Sequence, residues 1–115
     1  FYNGAEIETL GNGIVDTIRQ FHVDHAFLTV GAVNATQGFM DYRVEVAEIN
    51  RTMLKQARRA TVLIDSSKFD QMALVTASSL EAIERIVTDS PPSDYLTSAL
   101  NEAGTQIHIA NGLPK

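Results

Sequence analysis

The stretch Thr61–Phe69, TVLIDSSKF, decides how the chain is read. Thr61, Val62, Leu63 and Ile64 form a short apolar run without alternation, the pattern of a strand buried on both faces of a parallel sheet. Asp65, Ser66, Ser67 and Lys68 follow at once and so fall at the carboxyl end of that strand, where open α/β sheets bind ligands. The set supplies a carboxylate, two hydroxyls and an ammonium, which can accept from sugar hydroxyls and donate to an anion. The same residues also suit a plain surface turn in which Asp65 and the serines bond their own backbone.

Working upstream, Ala26–Val30 (AFLTV) reads as a second strand, apolar on both faces apart from Thr29, ending at Gly31. Gly31–Gly38, GAVNATQG, reads as a loop beyond that strand end, where glycine permits close approach or positive φ. It is neither GxGxxG nor GxxxxGK[ST], so it is not a phosphate-cradling fingerprint. Asn34, Thr36 and Gln37 can bond a polyol there or serve a simple strand-to-helix connection. Asp41 suits the N-cap of the longest helix, about Tyr42 to Ala60, with Val46, Ile49, Met53, Ala57 and Ala60 as its inner stripe and Leu54 beside it. Glu45 and Glu48 fall in its early turns and Lys55, Arg58 and Arg59 in its last, the polarity a helix dipole favours. Glu48 and Arg51 are spaced as an i,i+3 pair. Earlier still, Asn12 caps a helix to about Phe21 whose Ile14, Val15, Ile18 and Phe21 share a buried face, and Phe1–Leu10 looks like the end of a strand whose predecessors are absent. His22, Asp24 and His25 are the one local cluster of metal-type ligands, but without a further ligand nearby they read as solvated loop residues, and no metal or cofactor is expected.

Downstream, Ala73–Thr76 is a short strand, Ser78 and Glu81 are spaced as a capping box, and Glu84–Thr88 is a strand ending at Asp89. Pro91 and Pro92 interrupt the chain before Ser93 caps a last helix with Leu96, Ala99, Leu100 and Ala103 facing inward. Gly104 suits its C′ position, and Thr105–Ala110 alternates as a half-buried strand with His108 outward, leaving Asn111–Lys115 as tail. Strands alternating with helices imply crossover connections and an α/β fold with a mainly parallel sheet flanked by helices. The strand ends at Gly31–Asn34, Asp65–Lys68 and Asp89 then gather along one rim.

With 115 residues, 44% of them hydrophobic, the chain is one domain or a large part of one and is not disordered. It has no cysteine, which excludes disulfides, thiolate catalysis and cysteine-bound metals and is compatible with a cytoplasmic protein. Its apolar runs are far shorter than the ~20 residues a membrane span needs. A formal charge of −5 provides no basic footprint for nucleic acid, so any anionic ligand must be met by local positive groups.

The succession AFLTVGAVNATQG, MDYRVEVAEINRTMLKQA, VLIDSSKF and IVTDSPP resembles, over nearly the whole chain, the effector-sensing domain of DeoR-type bacterial transcriptional repressors. The DSSKF motif followed about twenty residues later by a VTD strand end is its most specific part. The resemblance implies a fold similar to ribose-5-phosphate isomerase and the CoA-transferases, a phosphorylated sugar or polyol as effector, an N-terminal winged helix-turn-helix for operator DNA, and homo-oligomers. The MDYRVE stretch is similar to the glycerol-3-phosphate-responsive branch. By position, Gly31–Asn34 matches the family loop after the central strand and Gly38 its second glycine. Asp65, Ser67 and Lys68 match the strand-end motif where a related isomerase keeps a substrate-binding lysine. The ligand-binding set so implied is Gly31, Asn34, Gly38, Asp65, Ser67 and Lys68.

Two family elements have no counterpart here: the helix-turn-helix, and the first third of the sensing domain with an Asp-Ser-Gly-Thr-Thr-like loop for the phosphate. The chain therefore reads as the C-terminal part of a sensing domain. Where the isomerases carry an acidic pair, this loop has Ala32 and Asn34, neither of which takes a proton. The expected function is a ligand-sensing repressor module rather than an enzyme. The alternative is an isomerase-like enzyme using Glu45 or Glu48 as base, and the blandest possibility a scaffold piece with no ligand.

Overall fold

The computed structural model describes residues 13–110. Along the chain lie α1 (helical residues 13–18), β1 (Val23–Thr29), β2 (Ala32–Asn34), β3 (Gly38–Asp41), α2 (Val44–Gln56) and β4 (Ala57–Leu63). A 3-10 turn at Ser66–Lys68 leads to β5 (Val75–Ser78), and another at Leu80–Ala82 to β6 (Arg85–Thr88), α3 (Asp94–Ala103) and β7 (Gln106–Ile109). Strands β1, β4, β6 and β7 form one sheet in that order, every neighbouring pair parallel. Strands β2, β3 and β5 form a second, antiparallel sheet with β3 at its centre.

In the parallel sheet each strand is added on the same side of the one before, so right-handed crossovers carry the connecting chain to a single face. On that face Ala26, Leu28, Ala60, Val62 and Ile86 are buried against Phe39, Leu80, Ile83, Leu96 and Leu100 in one continuous core. Side chains alternate along a strand, so Phe27 and Leu63 fall on the other face, where they are 61% and 43% exposed. There the His25 ring stacks on Phe27 with centroids 4.5 Å apart, and His25 Nε2 lies 2.7 Å from Thr61 Oγ1.

Several expectations change. The strand expected at Ala26–Val30 begins at Val23, so Asp24 and His25 are strand residues, and it is not apolar on two buried faces because one face lacks cover. Gly31–Gly38 is not a loop: it contributes β2 and the start of β3, paired Ala32↔Met40 to Asn34↔Gly38. Asp41 does not cap the long helix but ends β3, and α2 starts at Val44 with Arg43 in the cap position and no side-chain cap bond. That helix stops at Gln56, since Ala57–Ala60 extend the ladder with β1 from Val23↔Ala57 onward. Arg58 and Arg59 thus belong to β4, leaving Lys55 as the basic residue of the last turn, and Arg59 Nε sits 2.9 Å from Glu84 Oε2.

The buried residues of α2 are Ala47, Asn50 and Thr52, whereas Val46, Ile49 and Met53 are only half-buried. Instead of pairing with Glu48, Arg51 donates through Nη1 to the Thr76 carbonyl at 2.6 Å. In α1 and its exit Val15 is buried but Ile14 and Phe21 are 37% and 58% exposed. The strand expected at Ala73–Thr76 is β5, two residues later, and no Ser78–Glu81 capping box forms: Ser79 caps the short 3-10 turn without a side-chain bond. The last third matches expectation: Ser93 Oγ accepts from Leu96 N, Leu96 and Leu100 are fully buried, and Gly104 closes α3 in the left-handed region at φ 82°. Phe1–Leu10, Asn12 and Asn111–Lys115 lie outside the described residues.

Candidate functional site

Parallel register sets the strand ends side by side. Thr29 is opposite Leu63 and Leu63 opposite Val87, so the chain leaves β1, β4 and β6 at one rim. After β4, Ile64 donates its N–H to the Val87 carbonyl at 3.0 Å, and Asp65 then caps the turn Ser66–Lys68. Its carboxylate accepts from Ser67 N at 2.9 Å and from Ser67 Oγ, while its carbonyl accepts from Lys68 N at 3.1 Å. Phe69, 8% exposed, anchors the turn in the core beside Val33.

A second carboxylate reaches the same turn from β6. Asp89 Oδ1 accepts from Ser66 N at 2.7 Å, Asp89 Oδ2 from Ser66 Oγ at 3.3 Å, and Thr88 Oγ1 adds a bond to Oδ1 at 3.3 Å. The Ser66 N–H, with help from the two hydroxyls, holds the Asp89 carboxyl below its ordinary value by favouring the charged form. Lys68 is half-buried, and none of the ion pairs among the described residues involves it. The turn therefore has its hydroxyls committed to carboxylates while its ammonium remains available to a ligand.

The remaining expected residues belong to the neighbouring hairpin. Gly31 follows the end of β1, donating its N–H to Met40 O at 2.9 Å and to Asp41 Oδ1 at 3.2 Å. A Cβ on Gly31 would lie 2.7 Å from the Tyr42 ring. Asn34 is buried: it donates to Gln71 O at 2.8 Å and accepts from Gln37 N at 2.7 Å and Thr36 Oγ1 at 3.1 Å, which closes the β2–β3 turn. Gly38 has φ 82°, and a Cβ there would stand 2.4 Å from the Ser78 carbonyl oxygen. Asp65, Ser67 and Lys68 thus share one turn with Gly31 at the adjacent strand end, whereas Asn34 and Gly38 are engaged with their own hairpin.

One network is missing from the sequence-derived set. Asp41, 4% exposed, accepts from Gly31 N and from Asn50 Nδ2, the latter at 3.1 Å, and Asn50 also donates to Thr29 O at 3.2 Å. It ties β3, α2 and the end of β1 into one support beneath the rim. Burial raises the Asp41 carboxyl above its ordinary value, partly opposed by the bonds from Asn50 and Gly31 and by the charge of Arg51. The sequence signal was an asparagine on an otherwise apolar helix face.

Other candidates lack the geometry of a site. Glu45 Oε2 lies 3.7 Å from Arg43 Nε, and Glu48 is exposed. Asp24 pairs loosely with Arg58 at 4.0 Å, and among the described residues no group of three His, Cys, Asp or Glu side chains is placed to hold a metal. A groove of about 520 Å³ opens away from the rim, between the β2–β3 turn and the end of α3. Its polar lining includes Glu81 and Glu102 and no lysine or arginine, the wrong charge for a phosphate. No helix among the described residues is long and apolar enough to cross a membrane.

A family model described as the DeoR C terminal sensor domain matches residues 2–90, a span that contains the Asp65–Lys68 turn and Asp89. The chain belongs to this family. The sensor domain is 27% identical over 103 residues to the glycerol-3-phosphate regulon repressor of Haemophilus influenzae, covering 90% of this chain and 40% of that protein. It is 22% identical over 111 residues to the glycerol-3-phosphate regulon repressor of Escherichia coli K12, covering 92% of this chain and 44% of the other. It is 28% identical over 91 residues to the HTH-type transcriptional regulator IolR of Bacillus subtilis, covering 79% and 36% respectively. The chain thus spans less than half the length of these relatives.

Proposed function

We propose that the sensor domain is the effector-reading part of a cytoplasmic transcriptional repressor, and that its effector is a phosphorylated sugar or polyol bound at the rim. Asp65, Ser67 and Lys68 contact the effector, while Gly31, packed against the Tyr42 ring, and Asn34 and Gly38, which close the adjoining hairpin, hold the shape of the site. The observation that carries this reading is the family match across the strand-end turn, in which Lys68 supplies a positive charge that no carboxylate among the described residues has claimed. Relatives named as repressors and regulators support a sensor over an enzyme, and neither Glu45 nor Glu48 is placed as a buried general base.

The intact protein is proposed to extend further, with a helix-turn-helix that reads operator DNA, the first third of the sensing domain, and homo-oligomeric assembly. Relatives more than twice as long and the open face of the parallel sheet support this. A charge of −5 supports a DNA-binding role for the proposed helix-turn-helix rather than for this domain.

Calorimetric titration of the full-length protein with glycerol 3-phosphate and ribose 5-phosphate tests the site. A charge-assisted hydrogen bond is worth about 1.5–3 kcal/mol, so Lys68→Ala weakens binding by roughly ten- to a hundredfold with unchanged circular dichroism. Equal affinities for the two proteins would remove Lys68 from the site. Conversion of ribose 5-phosphate to ribulose 5-phosphate would establish the isomerase alternative, because a sensor leaves the sugar unchanged.

A further inference from the structure

The Asp65–Lys68 turn is held from two sides, and only one holder lies within the turn. Asp65 binds Ser67, the ordinary cap of a short turn. Asp89 lies just past the end of a different strand, 23 residues on from Ser66, and takes both the Ser66 N–H and the Ser66 hydroxyl. Its third donor, Thr88 Oγ1, is on a residue only 3% exposed in β6, which fixes the carboxylate to the sheet. The turn is short, its residues exposed or half-buried, and Lys68 sits two positions after the N–H that Asp89 grips.

The charge of Asp89 makes its presence informative. A carboxylate beside a site for an anion costs affinity through like-charge repulsion, so it is expected there only if it contributes something else. What it contributes is geometry, because among the described residues the Ser66 N–H has no other acceptor.

We infer that Asp89 is the positioning residue of the effector site: by clamping Ser66 to the end of β6 it fixes the turn that presents Lys68, without touching the effector. This rests on the proposed role of Lys68, and it separates Asp89 from a plain surface acid by the sign of the expected effect. If Asp89 were only a nearby charge, removing it would leave effector binding unchanged or tighten it. A positioning carboxylate predicts the reverse for Asp89→Ala, about tenfold weaker binding. Asp89→Asn, which keeps an oxygen for Ser66 N–H and loses the repulsive charge, binds as wild type or tighter.

The test uses the full-length protein titrated with glycerol 3-phosphate and ribose 5-phosphate, with Asp89→Ala, Asp89→Asn, Lys68→Ala and the Asp89→Ala/Lys68→Ala double variant. Because Asp89 acts through Lys68, adding Asp89→Ala to Lys68→Ala costs less than about twofold more. Full multiplication of the two losses, or tighter binding by Asp89→Ala, overturns the proposal. Hydrogen exchange read by mass spectrometry on the peptide carrying Ser66–Phe69 provides the second measurement. Protection is expected to fall in Asp89→Ala and persist in Asp89→Asn, and unchanged protection in Asp89→Ala overturns the clamp. Should the wild type bind neither sugar phosphate while the exchange pattern holds, the effector assignment and the role in binding both fail, and Asp89 is left as a clamp of the turn alone.

Discussion

On one face of the parallel sheet Ala26, Leu28, Ala60, Val62 and Ile86 lie beneath Phe39, Leu80, Leu96 and Leu100. On the opposite face of the same strands Phe27 and Leu63 remain 61% and 43% exposed. Composition does not explain the difference, since both faces carry large apolar residues. Winding does: successive strands β1, β4, β6 and β7 step in one direction, so their right-handed crossovers accumulate on one side. Only chain wound in the opposite sense, or another molecule, would cover the other side.

The largest effect that would break this contrast is a core truncation. Leu100→Ala, on the covered face and fully buried, is expected to cost about 2–5 kcal/mol in urea unfolding. Phe27→Ala should cost under ~1 kcal/mol because the ring is already mostly in water. Similar losses at the two positions would mean that the open face is covered after all.

A mid-sized effect is expected beneath the rim. Asp41→Ala leaves Gly31 N–H without one of its two acceptors and one Asn50 donor without its partner, and should cost about 1–3 kcal/mol. Its pH dependence has a definite sign. The folded-state carboxyl of Asp41 is raised above its ordinary 3.8, so the folded protein holds that proton more tightly than the unfolded chain. This contribution is complete below about 3.8 and is lost as pH rises through the raised value, so the gap between wild type and Asp41→Ala narrows from acid toward neutral pH. Asp89, whose carboxyl is lowered, acts in the opposite sense: its contribution is present above its ordinary 3.8 and is lost as pH falls through the folded value. A gap that widens toward neutral pH would show that Asp41 is not effectively desolvated.

The smallest effect in stability concerns the open face directly. Phe27→Ser with Leu63→Ser should leave unfolding within ~1 kcal/mol of wild type yet reduce self-association of the 115-residue chain in sedimentation at high concentration. A wild-type chain that runs as a clean monomer would show that the exposed patch is tolerated as ordinary surface.

How much was legible in the sequence follows the range of the interactions. Ser93, Leu96, Leu100 and Gly104 specify α3 through contacts within a few residues, and the helix formed as read. The α2–β4 boundary failed because helix and strand patterns overlap at Ala57–Ala60 and a remote ladder to β1 decided between them. Gly31–Gly38 reads as a loop because its small residues hide a hairpin whose partner, β5, lies some forty residues away. That Asp65 bonds the backbone of its own turn followed from residue type, but the bond from Ser66 to Asp89 did not, since nothing local links residues 23 apart.

By itself, the sequence determined the α/β class, the parallel character of the central strands, the last helix and the placement of Asp65–Lys68 at a strand end. Each rests on short-range periodicity, capping chemistry or the strand-then-polar-turn pattern. Tertiary structure alone decided which face of the sheet is covered, that Asp41 is buried with Asn50 instead of capping a helix, and that Asp89 grips the turn carrying Lys68. Those outcomes depend on crossover direction and strand register, which bring together side chains whose separation along the chain carries no local signal.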